Sequence, residues 1–406
     1  MPQSRSRLTP VDEALAALLA DCGLVVGTER LALGDALGRV LAEDQLAPVD
    51  VPPTDNSAMD GYALRAVDAA AGASLPVSQR IAAGHAPRPL KPGTAAQIFT
   101  GAEMPEGADT VVMQEDCQRE GAQVRLTAAA ERGQHVRPRG QDMVRGQQVI
   151  AAGTRLDGAA LGLLAAVGIA EIPVYRRLRV AVLSTGDELV EPGRPLGPGQ
   201  IYNSNRIMLL ALLRQLGFEA VDGGIVPDTL PATLAALDAV AGRADCIISS
   251  GGVSAGEEDH VKTALQQGGQ LQLWKLAIKP GKPLAYGRYR GKPFFGLPGN
   301  PASSFVTLLI VARPCLLQMQ GRRTGRPRRW RLPAAFCWTE AGSRQEYLRV
   351  RVEELDGRQV VSRYPNQSSG VLASAVWADA LAIIPPGTTL APGDAVEVVL
   401  LSELLA

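Results

Sequence analysis

Three loops from residue 186 onward put carboxylates directly after β-like runs. RVAVLST leads into Gly186-Asp187-Glu188, GGIV leads into Pro227-Asp228, and DCIIS leads into Ser250-Gly251-Gly252-Val253-Ser254-Ala255-Gly256-Glu257-Glu258-Asp259. A glycine-rich turn feeding a helix lets backbone N–H groups approach a phosphate closely, and the helix dipole favours the anion. Carboxylates beside that cradle repel a phosphate unless a divalent ion bridges them, and Mg²⁺ held by one or two carboxylates plus phosphate oxygens is the usual solution. Glu257 and Glu258 read more readily as ordinary charges at a helix start than Asp259 does.

A second set of cations follows. In Trp274-Lys275-Leu276-Ala277-Ile278-Lys279-Pro280-Gly281-Lys282-Pro283, strand alternation would put Lys275 and Lys279 on one face. Two ammonium groups pointing together repel each other unless an anion sits between them, which favours phosphate or an oxyanion over plain solvation. Six of the 41 basic residues are lysines, and five of these fall between 262 and 292. A chain that otherwise uses arginine keeps here the compact ammonium, a point charge suited to small anions; surface solvation with compositional drift is the alternative. Gly296-Leu297-Pro298-Gly299-Asn300-Pro301-Ala302-Ser303-Ser304 then turns into a helix, with Asn300 suited to its cap and Pro301 to its first turn. Farther upstream, Asp55 to Ala63, Ile98 to Gly101 and Arg137 to Asp142 are polar turns with little meaning taken singly. His85, His135 and His260 have no ligand spacing, so neither a zinc site nor a histidine triad is expected.

The elements that must position these residues follow from periodicity. From Leu178, strand and helix alternate: RVAVLST and DCIISSGG read as buried strands, SNRIMLLALLRQLG and ASSFVTLLIVARPCLLQM as helices. In such an α/β sheet, ligands lie beyond the carboxyl ends of the strands, where the unusual loops sit. Before it, the pattern predicts a helix with Thr9 as cap, Pro10 in the first turn and Ala14, Leu15, Leu18 and Leu19 as its apolar stripe. A second helix is expected near Leu161 to Gly168. Between them, runs such as AAQIFTG and TVVMQE read as a β-rich insertion. After GRRTGRPRRWR, which reads as a linker rather than a nucleic-acid patch, RQEYLRVRVEEL, GRQVVSRY and DAVEVVLL alternate at period two. The expected parts are 1–47 with 146–177 (a discontinuous helical unit), 48–145 (β insertion), 178–321 (α/β domain with a mostly parallel sheet) and 332–406 (a small β-barrel). The fold class is thus multidomain α/β plus β.

Global properties agree. A length of 406 residues calls for more than one core, and 43 glycines with 29 prolines imply many turns. Forty-one basic against 41 acidic residues leave no net field to draw the chain to nucleic acid or an anionic membrane. Cys22, Cys117, Cys246, Cys315 and Cys337 show no metal or redox spacing and read as reduced thiols of a cytoplasmic protein. The apolar run near the N-terminus is short and bounded by acids, unlike a signal peptide, and Gly158 to Ala170 is too short for the ~20 residues a bilayer span needs.

Taken together, DNSAMDGYA, IFTGAEMPEGAD, RPRGQDM, LSTGDEL, VPD, SSGGVSAGEEDH, KLAIKPGKP and GLPGNPASS resemble, in order, the molybdopterin molybdenumtransferase family, which includes the MoeA proteins and the E domain of gephyrin. One departure is Ala255, where the family more usually has Val. The resemblance implies an enzyme that inserts molybdenum from molybdate into adenylated molybdopterin, releases AMP with Mg²⁺, and works as a homodimer whose site joins the α/β domain of one copy to the insertion of the other. It implies Glu188, Asp228 and Asp259 for metal and nucleotide-end chemistry, and Lys275 and Lys279 as anion holders. Asp60 and Thr100 would come from the insertion with Arg137 and Asp142 behind them. Ser249, Ser250, Gly251, Gly252 and Ser254, with Pro298, Asn300 and Pro301, would bind substrate. Molybdopterin adenylyltransferase and molybdoenzyme chaperones are expected as further partners. The α/β domain alone also resembles adenylyltransferases, so adenylyl transfer to molybdopterin and a gephyrin-like scaffold role stay as alternatives.

Overall fold

The computed structural model describes residues 8–252, 260–323 and 326–406. The chain forms two compact units: one comprises residues 1–29, 38–42 and 174–406, the other residues 30–37 and 43–173.

The core of the first unit is a six-stranded sheet in the order Glu219–Val226, Arg179–Thr185, Cys246–Ser250, Lys292–Leu297, Pro283–Tyr289, Gly269–Lys275. The first four strands are parallel and the last two pairings antiparallel. RVAVLST and CIISS are almost continuously apolar because both faces are covered, as parallel sheets require. Val180, Val182, Ile248 and Phe295 pack on one side with Leu209 and Leu213 of the helix Ser204–Gln215. Ala181, Leu183, Ile247 and Phe294 pack on the other with Leu237 and Val240 of Leu230–Ala241 and Val261 and Leu265 of His260–Gly268.

Two local expectations are corrected here. The opening helix runs Val11–Asp21 and buries Val11, Ala14 and Leu18, but Pro10 holds the N-cap position and no side chain caps it. Thr9 is instead extended: its N–H donates to Lys275 O at 2.9 Å and its carbonyl accepts from Ala277 N at 2.8 Å. That same pairing breaks the lysine run. Lys275 ends Gly269–Lys275, whereas Ile278–Lys279 pairs in parallel with Gln345 and Glu346 of a different sheet. Lys275 and Lys279 therefore do not share one strand face.

The helix after GLPGNP is Pro301–Thr307, a π turn at Leu308–Ala312, then Arg313–Met319. Pro314 has no N–H to give and its ring crowds the carbonyl of Ile310, which accounts for the wider turn just before it. The stretch Pro301–Met319 is long and apolar enough to cross a membrane by length and composition, yet 89% of it is buried within the protein.

The C-terminal strands order as Ile278–Lys279, Gln345–Leu355, Ala380–Ile384, Ala395–Leu400, Trp330–Pro333, with Arg358–Arg363 paired to Gln345–Leu355. Ala335 N donates to Val361 O at 2.9 Å, which joins the two edges into a small barrel around Leu348, Val350, Val361, Ala382 and Val398. The strand at Trp330 starts inside the run read as linker, with the Arg328 guanidinium 3.9 Å from the Trp330 ring centre.

The second unit holds a six-stranded sheet in the order Thr110–Met113, Gly61–Leu64, Ala95–Ile98, Ser74–Ile81, Gln123–Leu126, Cys117–Glu120. Its helix Gly158–Ala166 is capped by Asp157, which accepts from Ala160 N at 2.8 Å. The two helices read as one N-terminal unit thus belong to different units, because Val11, Ala14 and Leu18 bury in the α/β core.

Candidate active site

A cavity of about 930 Å³ opens in the first unit at the carboxyl ends of Arg179–Thr185, Cys246–Ser250 and Lys292–Leu297. Backbone at strand ends is held by the sheet, so the loops leaving it can be placed accurately. The Gly251-Gly252 turn depends on glycine: both have positive φ, +90° and +67°, and a Cβ at Gly252 would come within 2.5 Å of Val261 Cγ2. At Gly186 a Cβ would lie 2.4 Å from Glu188 Oε2, so the missing side chain lets the Glu188 carboxylate fold back over its own turn.

Of the residues expected from sequence, Glu188, Ser250, Gly251, Lys279, Pro298, Asn300 and Pro301 line this cavity. Ser249 is buried and its hydroxyl donates to Gly251 O at 3.4 Å, shaping the loop. Asp228, Gly252 and Lys275 do not line the cavity, although the Asp228 N–H donates to Asp187 Oδ1 at 3.0 Å and so ties two of the carboxylate loops together. Ser254 and Asp259 lie outside the described residues. Asn300 occupies the N-cap position but its side chain makes no cap hydrogen bond; Ser304 Oγ donates to Pro298 O at 2.5 Å and holds the turn, leaving the Asn300 amide exposed at the cavity.

Lys279 also differs from expectation. Rather than facing a second lysine across an external anion, its ammonium contacts Glu346 at 3.0 and 3.2 Å and sits 5.7 Å from the Trp338 ring centre. Glu346 is 3% exposed, a carboxylate that the fold itself provides to hold one cation in place. Among the described residues, Lys279, Lys282 and Arg344 line the cavity with the acid Glu188, and since Lys279 is paired with Glu346, Lys282 and Arg344 leave its wall favouring anions.

Sequence reasoning missed several lining groups, Thr185, Asn203, Asn205, Arg344 and the loop from Gln367 to Gly370, while Lys282 of the lysine cluster lines the cavity as well. Asn205 Nδ2 donates to Ser250 Oγ at 2.8 Å and to Gly299 O at 2.7 Å, clamping the glycine loop to the GLPGNP turn. Asn203 Oδ1 accepts from Arg206 N at 3.2 Å as a helix cap. The Asn-Ser-Asn helix start and the polar run NQSSG were the available signals.

Asp60, Thr100, Arg137 and Asp142 fall in the second unit. Asp60 Oδ1 accepts from Thr100 N at 2.7 Å and from Thr100 Oγ1 at 2.8 Å. Those two donors, the amide first, hold the Asp60 carboxyl below the usual carboxylate range. The three polar turns are tied together by backbone donors: Gly101 N donates to Ser57 O, Ala58 N to His135 O, and Arg139 N to the Asp55 side-chain Oδ1. Arg137 pairs with Asn56 across two short strands. The Asp142 N–H donates to Val51 O at 2.9 Å.

Among the described residues, no group of three His, Cys, Asp or Glu side chains is placed to hold a metal ion. The cysteines are all free thiols; Cys22, Cys246 and Cys315 are buried, and burial pushes the Cys246 thiol up, away from the reactive thiolate.

The geometry agrees with what the chain resembles. Residues 9–168 match the MoeA N-terminal region (domain I and II), 181–318 the probable molybdopterin binding domain, and 331–401 the MoeA C-terminal region (domain IV). The chain is 42% identical over 328 residues to the molybdopterin molybdenumtransferase of Haemophilus influenzae, covering 80% of each. It is 38% identical over 374 residues to that of a Nostoc species, covering 89% of this chain and 86% of the relative. A crystal structure of the molybdopterin biosynthesis MoeA protein from Pyrococcus horikoshii superimposes with a TM-score of 0.81 at 33% identity, covering 97% of this chain and 99% of that one. By identity, coverage and fold, this chain belongs to the molybdopterin molybdenumtransferase family.

Proposed function

We propose that this chain is a molybdopterin molybdenumtransferase: it takes molybdate and adenylated molybdopterin, places molybdenum on the dithiolene, and releases AMP. The observation that carries this reading is the cavity at the strand ends, with Lys279, Lys282 and Arg344 in its wall beside the Ser250-Gly251 turn and the start of the Pro301 helix. Bringing two anions together is opposed by their mutual repulsion. Fixed cations in a partly enclosed site offset it without reorganisation during the reaction. The N–H groups of the glycine turn and of the helix start suit phosphate oxygens. Ser249 to Gly252, Ser254, Pro298, Asn300 and Pro301 are the substrate-binding set of this reading, and Lys275 and Lys279 its anion holders.

Mg²⁺ belongs to the same proposal. The hard carboxylate oxygens of Glu188 at the cavity fit an ion that takes one or two protein carboxylates and completes its shell with phosphate and water. Glu188, Asp228 and Asp259 are the residues that would hold it. When bound, it neutralises charge on the phosphoanhydride. Asp60 and Thr100, supported by Arg137 and Asp142, are the second unit's contribution, and a cytoplasmic homodimer is part of the reading, as are molybdopterin adenylyltransferase and molybdoenzyme chaperones as further partners. The finer parts 48–145, 178–321 and 332–406 belong to it as well.

The test is direct: purified protein given adenylated molybdopterin, molybdate and Mg²⁺ is expected to release AMP. Absence of release with the substrate bound contradicts the reading. Consumption of ATP with free molybdopterin, and no use of the adenylated form, would replace it with adenylyl transfer.

A further inference from the structure

The barrel strand Gln345–Leu355 carries a second buried charge besides Glu346. Arg349 is 0% exposed, and its donors meet neutral acceptors: Nε to Ser374 Oγ at 3.0 Å, Nη1 to Tyr347 O at 3.2 Å and Nη2 to Ser368 O at 3.3 Å. Burial pushes the guanidinium down to about 10, with Glu346 acting the other way, so it is still protonated at neutral pH. Burying a cation on neutral acceptors is costly, and a well-packed apolar residue would avoid the cost. The position is explained by what it holds.

Residue 349 organises the segment from Tyr364 to Gly370, which has no sheet ladder of its own. Tyr364 N donates to Arg349 O at 3.1 Å, Arg349 N donates to Gln367 Oε1 at 3.0 Å, and Gln367 Nε2 donates back to Arg349 O at 2.9 Å. The guanidinium adds the bond to Ser368 O. At the far end, Ser369 O accepts from Ala302 N at 3.0 Å, in the first turn of the Pro301 helix. Gln367, Ser368, Ser369 and Gly370 line the cavity together with Lys279 and Arg344.

We infer that Arg349 is a positioning residue for substrate binding: its buried fork locks the Gln367–Gly370 wall of the cavity in the geometry that receives the anionic substrate. This deepens the proposed function and rests on the cavity being where that substrate binds. The planar guanidinium reaches three acceptors in separate directions, which an ammonium at the same place cannot do. Loose walls cost affinity before they cost chemistry, because the loop must then be ordered on binding.

The full-length chain carries the test in two variants, Arg349→Lys and Ser374→Ala. The second removes the Nε acceptor, a hydroxyl that also donates to Val371 O at 2.6 Å and does not line the cavity. Equilibrium titration with adenylated molybdopterin gives Kd, AMP release gives KM and kcat, and thermal unfolding gives Tm. Arg349→Lys is expected to raise Kd and KM about tenfold, the loss of one hydrogen bond to a charged group, with kcat nearly unchanged. Ser374→Ala moves both in the same direction by roughly threefold. A merely structural role lowers Tm and the active fraction without moving Kd or KM, and that outcome overturns the inference. If Arg349→Lys does not fold, Kd for Ser374→Ala decides alone. If wild-type protein binds the substrate but releases no AMP, the proposed function fails, while the Kd comparison still judges Arg349.

Discussion

The cavity of the first unit and the polar turns of the second solve the same problem, holding side chains in place, by different means. The cavity is built on sheet ends and supported from behind by buried charge: Glu346 under Lys279 and Arg349 under the Gln367–Gly370 wall. The turns carrying Asp60, Thr100 and Arg137 lean on one another through backbone hydrogen bonds and remain largely at the surface. Support drawn from a core couples function to folding stability. Support drawn from loop-to-loop bonds leaves the two nearly independent.

That contrast breaks most readily at Lys279. Lys279→Met removes a cavity cation and strands the buried Glu346 carboxylate; because the ammonium is partly exposed, the expected stability loss is roughly 2 kcal/mol by urea denaturation, with turnover largely gone. Adding Glu346→Gln is expected to recover the stability and none of the turnover. A single variant with wild-type stability would mean the core does not support this wall electrostatically. Gly252→Ala comes next, with a left-handed backbone cost of roughly 1–2 kcal/mol plus the contact with Val261, read as a lowered Tm. In the other region, Asp60→Asn is expected to lower Tm only slightly, through the lost Thr100 bonds to the carboxylate, and to reduce turnover by about tenfold, the worth of one charged contact. A fall in Tm as large as that of Lys279→Met would erase the distinction.

The smallest effect is Thr100→Val. Thr100 holds the Asp60 carboxyl below its ordinary range, so the charged form is favoured in the folded protein. The associated stability is present above the unfolded carboxylate range and is lost as pH falls through the folded value. Removing the hydroxyl should move the Asp60 titration upward by NMR, with little change at neutral pH. An unmoved titration would assign the whole effect to the Thr100 amide.

Much of the α/β scaffold was legible because its signals are local. RVAVLST and CIISS announce buried strands, and the glycines after them announce turns at strand ends. What failed were readings that extended a local period across a tertiary event. Local spacing makes Thr9 a cap, but it is an extended partner of the 275–277 segment; alternation makes the lysine run one strand, but it is split between two sheets. Asn300 sits where a cap belongs but leaves its amide to the cavity. Glu346 and Arg349 carried no sequence signal at all. Glu346 meets Lys279 across 67 residues, and a charge within the strand EYLRVRV reads as an ordinary solvent-facing position until the partner is placed.

The central claim is that the cavity uses a compact ammonium at position 279 to receive a small anion. AMP release by Lys279→Arg, compared with wild type at saturating adenylated molybdopterin while molybdate is varied, tests it most directly. The guanidinium keeps the charge and the pairing with Glu346 but not the compact point charge. The account predicts that turnover is mostly lost while Tm stays within about 3 °C of wild type. Wild-type turnover in that variant would contradict it.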